Sequence, residues 1–323
     1  MTREFEDFRS VWTPVAIARE LRPGKPLAAQ VAGTRVVLWR GPDGAPAALI
    51  DRCPHRGAAL SLGRVTGGAI QCPFHGWRFD AAGCAVSIPW NPDAKKGALG
   101  AAALPVREAA NLIWIYTEPG ADPGAGPEIG ELDDPRLRLC SFALEWRVHW
   151  TRAMENMLDS PHLPFVHRAT IGRGLAPLVE RRMDIAVEEQ PWGFRSTIAV
   201  DDAARPGGLD FRWPNRMVLH IGLPRRTLVL SVACVPIDAR RTRLLLTTAR
   251  SFLKNPWLDV WFNLMNRRIA AEDKAIVESS QPIEVPDARE EKSVRTDAPT
   301  LRFRTLYQRR LKRADACPPA DSA

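Results

Sequence analysis

Residues 53–84 read CPHRGAALSLGRVTGGAIQCPFHGWRFDAAGC and contain two short segments with metal-binding side chains. The stretch holds a Cys-Pro-His triplet that begins at Cys53 and, after sixteen further residues, a Cys-Pro-Phe-His quartet that begins at Cys72. Each segment offers one thiolate and one imidazole. A 2Fe–2S cluster with two thiolates on one iron and two imidazoles on the other uses this donor set, drawn from two adjacent loops. We therefore predict that the cluster is bound by Cys53, His55, Cys72 and His75.

A structural zinc ion is the alternative for these four side chains, because two cysteines and two histidines also bind zinc. Zinc fingers typically keep their two cysteines together and their two histidines together. Here each segment carries one residue of each type, which favours the cluster.

The whole stretch resembles the Rieske domain of ring-hydroxylating and demethylating oxygenases. Rieske proteins of respiratory chains have an additional cysteine in each loop, and this chain has Ala58 and Phe74 at the matching positions. The resemblance is therefore to the oxygenase or ferredoxin branch.

The sequence around these loops predicts a small β domain. Residues 30–39 and 47–50 alternate or are apolar, residues 41–44 (GPDG) predict a turn between them, and residues 111–116 predict a buried strand. A segment rich in proline and glycine follows. We predict a Rieske domain over residues 1–118, a linker over 119–138, a catalytic domain over 139–310 and a basic, flexible tail over 311–323.

The second domain combines alternating stretches with a late helical pattern from Trp257 to Ser280, which Pro282 ends. Strands followed by a late helix predict an α+β domain rather than a parallel α/β sheet.

A second metal-binding pattern opens this domain: Asn156, Asp159, His162 and His167 at spacings of three, three and five residues. Oxygen activation at Fe(II) favours two histidines and one carboxylate that leave coordination positions open. Histidines five residues apart do not share a face of a regular helix, but two prolines in this segment distort it. A His-x₄-His pair by itself is also typical of core or surface histidines.

The third iron ligand must be a distant acid, and residues 271–278 of the late helix offer Glu272, Asp273 and Glu278. Residues 155–167 (ENMLDSPHLPFVH) resemble the mononuclear iron motif of Rieske oxygenases, nearest to the group with pheophorbide a oxygenase and vanillate O-demethylase. The resemblance implies that His162, His167 and Asp273 bind iron. Most acids on an amphipathic helix are solvated, so we expect Glu272 and Glu278 to be solvated.

The same resemblance implies that Asp159 is the electron bridge between the iron site and a cluster histidine, and that Asn156 lies near the iron. A capping or surface acid is the alternative for Asp159. For His149 and His220, which stand outside the motif, core or surface positions are the expectation.

The family further implies an N-terminal all-β Rieske domain and a helix-grip catalytic domain, in which an antiparallel sheet grips a long helix. Electrons from NAD(P)H would arrive through a separate reductase or ferredoxin. Three chains would form a ring in which the cluster of one faces the iron of its neighbour. O₂ would be used to hydroxylate or demethylate an aromatic or polycyclic small molecule. We expect a monooxygenase, with a dioxygenase left open.

A Rieske electron-transfer protein, whose second domain only binds a partner or ligand, is the alternative. The net charge of +8 is spread along the chain without a nucleic-acid-binding module, so we expect no nucleic-acid partner. The longest apolar stretch, residues 227–237, is too short to span a bilayer, and the first ten residues show no secretory signal. A cytoplasmic location follows as an expectation, with free thiols at Cys84, Cys140, Cys234 and Cys317.

Overall fold

The computed structural model describes Glu4, Phe5 and residues 8–312, which divide into two units, one ending at Asp133 and one beginning at Asp134. This division falls within residues 119–138, the predicted linker. Most of the predicted tail, with Cys317, lies outside the described residues. The two cluster segments belong to the first unit, and the second histidine motif belongs to the second.

The first unit consists of short antiparallel strands in three small sheets, ordered β1-β10-β9, β2-β3-β4 and β5-β6-β7-β8. Its one-turn 3-10 helices span Ala18–Glu20, Leu60–Leu62, Lys96–Ala98 and Gly130–Asp133. The strands are β1 (Trp12–Ile17), β2 (Leu27–Val31), β3 (Thr34–Arg40), β4 (Pro46–Ile50), β5 (Arg64–Thr66), β6 (Ala69–Gln71), β7 (Arg78–Phe79), β8 (Ala85–Ser87), β9 (Val106–Ala109) and β10 (Leu112–Tyr116).

The prediction of one alternating stretch over residues 30–39 is wrong at its start. Strand β2 ends at Val31 and pairs with β3 through a two-residue turn at Ala32 and Gly33. Both turn residues have positive φ, 43° and 77°, as the tight turns of hairpins require. No proline and only one glycine marks this turn, so the two strands read as one stretch in the sequence.

The core of this unit lies directly under the cluster segments. Cys53 and Cys72 are each only 2% exposed and belong to one apolar cluster. Its largest members are Trp39, Leu49, Leu60, Ile70, Phe79 and Ile88. Burial of these side chains anchors both segments at their cysteines.

The second unit is built on one antiparallel sheet, ordered β11-β18-β17-β16-β15-β13-β12, with β14 paired to β13. Its helices are α1 (Trp150–Leu158), α2 (Leu163–Val166), α3 (Leu258–Glu278) and α4 (Ala298–Tyr307), followed by a π-helical turn, Gln308–Lys312. Two 3-10 helices span Ile171–Leu178 and Arg295–Asp297. The strands are β11 (Arg138–Trp146), β12 (Met183–Gln190), β13 (Gly193–Val200), β14 (Ala203–Ala204), β15 (Gly207–Arg212), β16 (Arg216–Ile221), β17 (Leu228–Asp238) and β18 (Arg241–Arg250).

An all-β first unit and a second unit of antiparallel sheet with helices confirm the predicted α+β fold class. The long helix α3 runs within two residues of the predicted Trp257–Ser280 at each end. None of the described helices has the length and apolar composition that a bilayer span requires.

Four charged side chains form a buried network that ties α1 to α4. Arg152, Glu155 and Arg304 are each at most 8% exposed. Arg152 donates to Glu155 at 3.1 Å and to Glu291 at 2.7 Å, and Arg304 donates to the same two acids. Because α1 leads directly into the second histidine motif, this network holds the start of that motif in place.

We expect Arg304→Met to lower the free energy of unfolding by about 3–5 kcal/mol, because it leaves Glu155 buried with one cation fewer. The matched control is Arg302→Met on the same helix, which breaks an exposed pair with Glu189 and should cost about 1 kcal/mol or less. Urea unfolding of both variants measures the difference. Equal losses would contradict a structural role for the buried network.

Candidate metal centres and active site

The two cluster segments fold into loops with the same backbone hydrogen bonds. The amide of Cys53 donates to Ala58 and that of Gly57 donates back to Cys53, each at 2.8 Å. The second loop repeats this, with Cys72 donating to Trp77 at 2.8 Å and Gly76 donating to Cys72 at 3.1 Å. The two glycines share a φ of +73°, a left-handed conformation that favours glycine.

The loops hold their thiols inside and their imidazoles outside. The two cysteines are buried, whereas His55 and His75 are exposed with ring centroids 4.5 Å apart. The His55 ring also stacks on Trp77, with centroids 4.7 Å apart and planes 3° from parallel. This segregation fits a cluster whose inner iron takes two thiolates and whose outer iron takes two imidazoles.

Burial is the main cause that raises the pKa of the Cys53 thiol to about 11, with a contribution from neighbouring Cys72. Iron would have to displace this proton, because the thiolate is the ligand.

In the second unit, a single helical turn brings the two motif histidines together. Helix α1 ends at Leu158, before Pro161, and α2 begins after His162 and ends before His167. The carboxylate of Asp159 accepts a hydrogen bond from the backbone amide of His162 at 2.9 Å. With one histidine at each end of α2, the ring centroids are 5.2 Å apart.

Asp273, on α3, meets both rings. Its Oδ1 lies 3.0 Å from Nε2 of His167 and 3.5 Å from Nε2 of His162. The side chain is only 6% exposed, and Oδ1 has no well-formed hydrogen bond among the described residues. Two imidazole nitrogens and one carboxylate oxygen within 4.8 Å of one another, one of them an unsatisfied buried acceptor, fit a mononuclear iron.

In each of these two histidine rings, the nitrogen that faces away from Asp273 is within hydrogen-bond distance of another carboxylate. Nδ1 of His162 lies 3.1 Å from Asp159, and Nδ1 of His167 lies 2.8 Å from Glu272. Such partners fix the ring orientation and leave Nε2 free for a metal. Burial disfavours protonation of His162, but Asp159 and Asp273 outweigh it and raise its pKa to about 9. The acids that stabilise an imidazolium here would also stabilise a bound cation.

The expectation that Glu272 is a solvated acid is wrong. Its Oε2 accepts from His167 and, at 2.7 Å, from Thr170. Burial opposes ionisation of Glu272, but these two hydrogen bonds lower its pKa. The sequence signal that could have pointed to this role is the adjacency of two acids, Glu272 and Asp273, on one predicted helix. Glu278 instead accepts from the backbone of Arg147 at 2.7 Å, away from both rings.

We expect Glu272→Gln to weaken iron binding at this centre roughly 10–100-fold, because an amide orients the His167 ring less strongly than a carboxylate. Titration of iron-depleted protein with Fe(II), with iron per chain as the readout, measures the change. Glu278→Gln is the control on the same helix and should bind iron like the unaltered chain. A Glu272 variant with unchanged affinity would contradict this role.

The remaining candidates have simple placements. Asn156 faces the cavity described below, and its Nδ2 is buried with no hydrogen-bond partner in the described part of the chain. His149 is half-buried and bonds Thr151 through Nδ1 at 2.7 Å, as expected for a satisfied core residue. His220 is held by Asp210 at 3.0 Å and is not among the described residues that line the cavity.

A cavity of about 280 Å³ opens beside the His162, His167 and Asp273 cluster. It lies between the sheet, α3 and the segment around α2. Most of its wall is apolar. The sheet contributes Leu209, Met217, Leu219, Leu230, Val232 and Leu246, and α3 contributes Trp261, Phe262, Met265 and Ile269.

Comparison with protein families matches both units. The family described as "Rieske [2Fe-2S] domain" matches residues 11–100, which include both cluster loops. The family described as "Vanillate O-demethylase oxygenase C-terminal domain" matches residues 201–313, which include Asp273. The motif with His162 and His167 lies between the two matched ranges.

Comparison with individual proteins also finds similar demethylases and a similar solved structure. The oxygenase component of dicamba O-demethylase from Stenotrophomonas maltophilia is 37% identical over 54% of this chain, and the chain spans about half of that relative, 52%. Methylxanthine N1-demethylase NdmA from Pseudomonas putida is 28% identical over 96% of this chain and 91% of its own length. The crystal structure of dicamba monooxygenase bound to dicamba matches with a TM-score of 0.81 at 25% identity, covering 96% of this chain and 99% of that one.

Proposed function

The chain belongs to the Rieske non-haem iron oxygenases, and within this family we propose that it demethylates or hydroxylates an aromatic or heterocyclic small molecule. The observation that carries this proposal is the meeting of His162, His167 and Asp273 at the wall of an apolar cavity. A carrier of electrons alone has no use for such a cavity. At about 280 Å³ it lies near the lower end of small-molecule sites, which suits one or two rings.

We propose that Cys53, His55, Cys72 and His75 hold a 2Fe–2S cluster, and that His162, His167 and Asp273 hold a mononuclear Fe(II). When bound, this iron supplies the activation of O₂ for attack on a C–H bond. Asp159 and Glu272 accept the Nδ1 protons of the two histidines and keep both rings oriented. The leucine-rich wall excludes water from the reacting group.

Demethylation is the favoured outcome, because two of the relatives above are demethylases. A methyl ether, O₂, two electrons and two protons would give an alcohol, formaldehyde and water. The methyl carbon is oxidised, and the two electrons serve to reduce the second oxygen atom to water. They would come from NAD(P)H through a separate reductase or ferredoxin.

Electrons would enter and leave the cluster through its exposed imidazoles. His55 and His75 both lie on the surface, and the exposed side chain of Phe74 contacts the His75 ring. The excess of basic residues, a net charge of +8, would favour an acidic ferredoxin. We also propose that the protein is cytoplasmic and forms a homotrimer. Light scattering of the purified protein tests the trimer directly, and a monomer under assay conditions would contradict it.

Oxygen uptake tests the proposed function. Iron-loaded protein with NAD(P)H and a reductase–ferredoxin pair should consume O₂ faster when methoxyarenes or N-methyl heterocycles are added, and should release formaldehyde from those it demethylates. Protein with an intact cluster that never binds the additional iron would contradict the oxygenase assignment and favour an electron carrier.

A further inference from the structure

The polar groups in the cavity wall are few and are placed unevenly. Across the sheet, Leu209 pairs with Leu219, Leu219 with Leu230, and Leu230 with Thr248. Cross-strand partners project on the same face of a sheet, so this row presents three leucines and then one hydroxyl to the cavity. At the polar end of the row, Thr248 contacts Asn266 of helix α3.

Asn266 and Thr248 form a pair in that wall. Nδ2 of Asn266 donates to Oγ1 of Thr248 at 2.9 Å, and Thr248 is only 4% exposed. This bond holds the amide in one orientation. It leaves the Asn266 carbonyl oxygen without a hydrogen bond from the described residues, while the side chain lines the cavity. A carbonyl oxygen in that position accepts a hydrogen bond from a ligand.

The pair is also set at a defined distance from the iron ligands. Asn266 precedes Asp273 by seven residues on α3, which is nearly two full turns. Both side chains therefore lie on the same face of the helix, with their backbones about 10 Å apart along the axis. A molecule that touches both ends of the cavity is about two fused rings long.

No lysine or arginine is among the described residues that line the cavity. The ionisable side chains that line it are those of the proposed mononuclear iron site (His162, His167 and Asp273) and that of Asp159. Its rim is apolar as well, with Ile171, Ile221, Trp261 and Met265 each at least 37% exposed. A carboxylate on the ligand would lose its water here without gaining a cation, which is strongly unfavourable.

We propose that Asn266, held by Thr248, is a specificity-determining residue that selects an uncharged substrate with a hydroxyl or N–H donor about two ring widths from the oxidised carbon. This inference rests on the proposed function, because it concerns the substrate of the same site. Thr248 acts as the positioning residue of the pair.

Three matched compounds test the selection by calorimetry on the iron-loaded protein without O₂. They are 6-methoxy-2-naphthol, 2-methoxynaphthalene and 6-methoxy-2-naphthoate, which differ only in the group at the far ring. The naphthol should bind about 3–10-fold more tightly than methoxynaphthalene, the worth of one hydrogen bond. The naphthoate should bind at least about 10-fold more weakly than methoxynaphthalene. The isomer 3-methoxy-2-naphthol, with its hydroxyl beside the methoxy group, should show no advantage over methoxynaphthalene.

Asn266→Leu should remove the preference for 6-methoxy-2-naphthol while leaving the affinity for 2-methoxynaphthalene equal or higher. The matched control is Asn263→Leu, the same exchange one turn earlier on α3 at a side chain that does not line the cavity. It should keep the preference intact. If the Asn266 variant fails to fold, the order of affinities in the unaltered protein still decides the proposal.

Binding of the naphthoate as tight as that of the naphthol would overturn the proposal, as would an unchanged preference in Asn266→Leu or no saturable binding of any of the compounds. Formaldehyde release, measured separately with a reductase, tests the proposed function instead. Demethylation of all compounds with equal affinities would overturn the selection and support the oxygenase. The expected order of affinities without formaldehyde would support the selection and count against demethylation.

Discussion

Asp273→Ala is expected to remove the mononuclear iron and abolish substrate-dependent oxygen uptake, while the cluster remains. The residue supplies the carboxylate oxygen that faces Nε2 of both His162 and His167. Two neutral imidazoles alone are a weak site for Fe(II). Asp273→Ala should therefore weaken iron binding by more than the roughly 10–100-fold expected of Glu272→Gln, whose side chain only orients one of these rings.

Metal analysis and the spectrum of the reduced cluster measure this result together: iron should fall by one per chain with the cluster signal unchanged. Glu278→Ala, five residues further along α3 and away from the rings, is the control and should keep both metal centres. An Asp273 variant with full iron content and full turnover would show that another acid is the ligand.

Asp159→Asn is expected to weaken Fe(II) binding as Glu272→Gln does, because each change removes a carboxylate from a histidine ring, but at saturating Fe(II) both metal centres should stay filled and turnover should still fall roughly 10–100-fold or more. Asparagine keeps an oxygen that can accept from the backbone amide and from Nδ1 of His162, so the turn should survive. It loses the negative charge that helps to raise the pKa of His162. Asp159 is also 32% exposed, so a donor outside its own unit can reach it.

A single-turnover experiment separates this effect from a change in binding. Protein with a reduced cluster is mixed with O₂ and a substrate, and oxidation of the cluster is followed by absorbance. Slow oxidation with normal iron content is the expected result, and Ser160→Ala, a neighbouring change at the cavity wall, should oxidise at the normal rate. Normal oxidation in Asp159→Asn would refute the electron bridge.

The sequence predicted the two metal centres unequally. At the cluster loops, one cysteine and one histidine stand within a few residues in each loop, so donor type and spacing are both local properties of the chain. The same holds for His162 and His167, whose rings meet because a single turn, begun after Pro161, separates them. Short segments of this kind are governed by local backbone geometry, which sequence displays directly.

The roles of the three acids on α3 were harder to predict from sequence. Glu272, Asp273 and Glu278 look alike as exposed positions of an amphipathic helix, and the resemblance to known oxygenases assigned only one of them. In the structure, Glu272 and Asp273 both face the histidine segment from more than a hundred residues away in sequence. The adjacency of two acids is the one local signal for this contact, and it does not show by itself which of the two acids faces a histidine.

From sequence, then, came the chemistry of the donors, the α+β class, the pairing of one cysteine with one histidine in each cluster loop, and the pairing of His162 with His167. The tertiary structure alone decided that Glu272 orients His167, and that Asn266 meets Thr248 at the polar end of a leucine row. These contacts depend on where α3 lies against the sheet and the histidine turn. That placement follows from burial of many side chains at once, and no short run of residues records it.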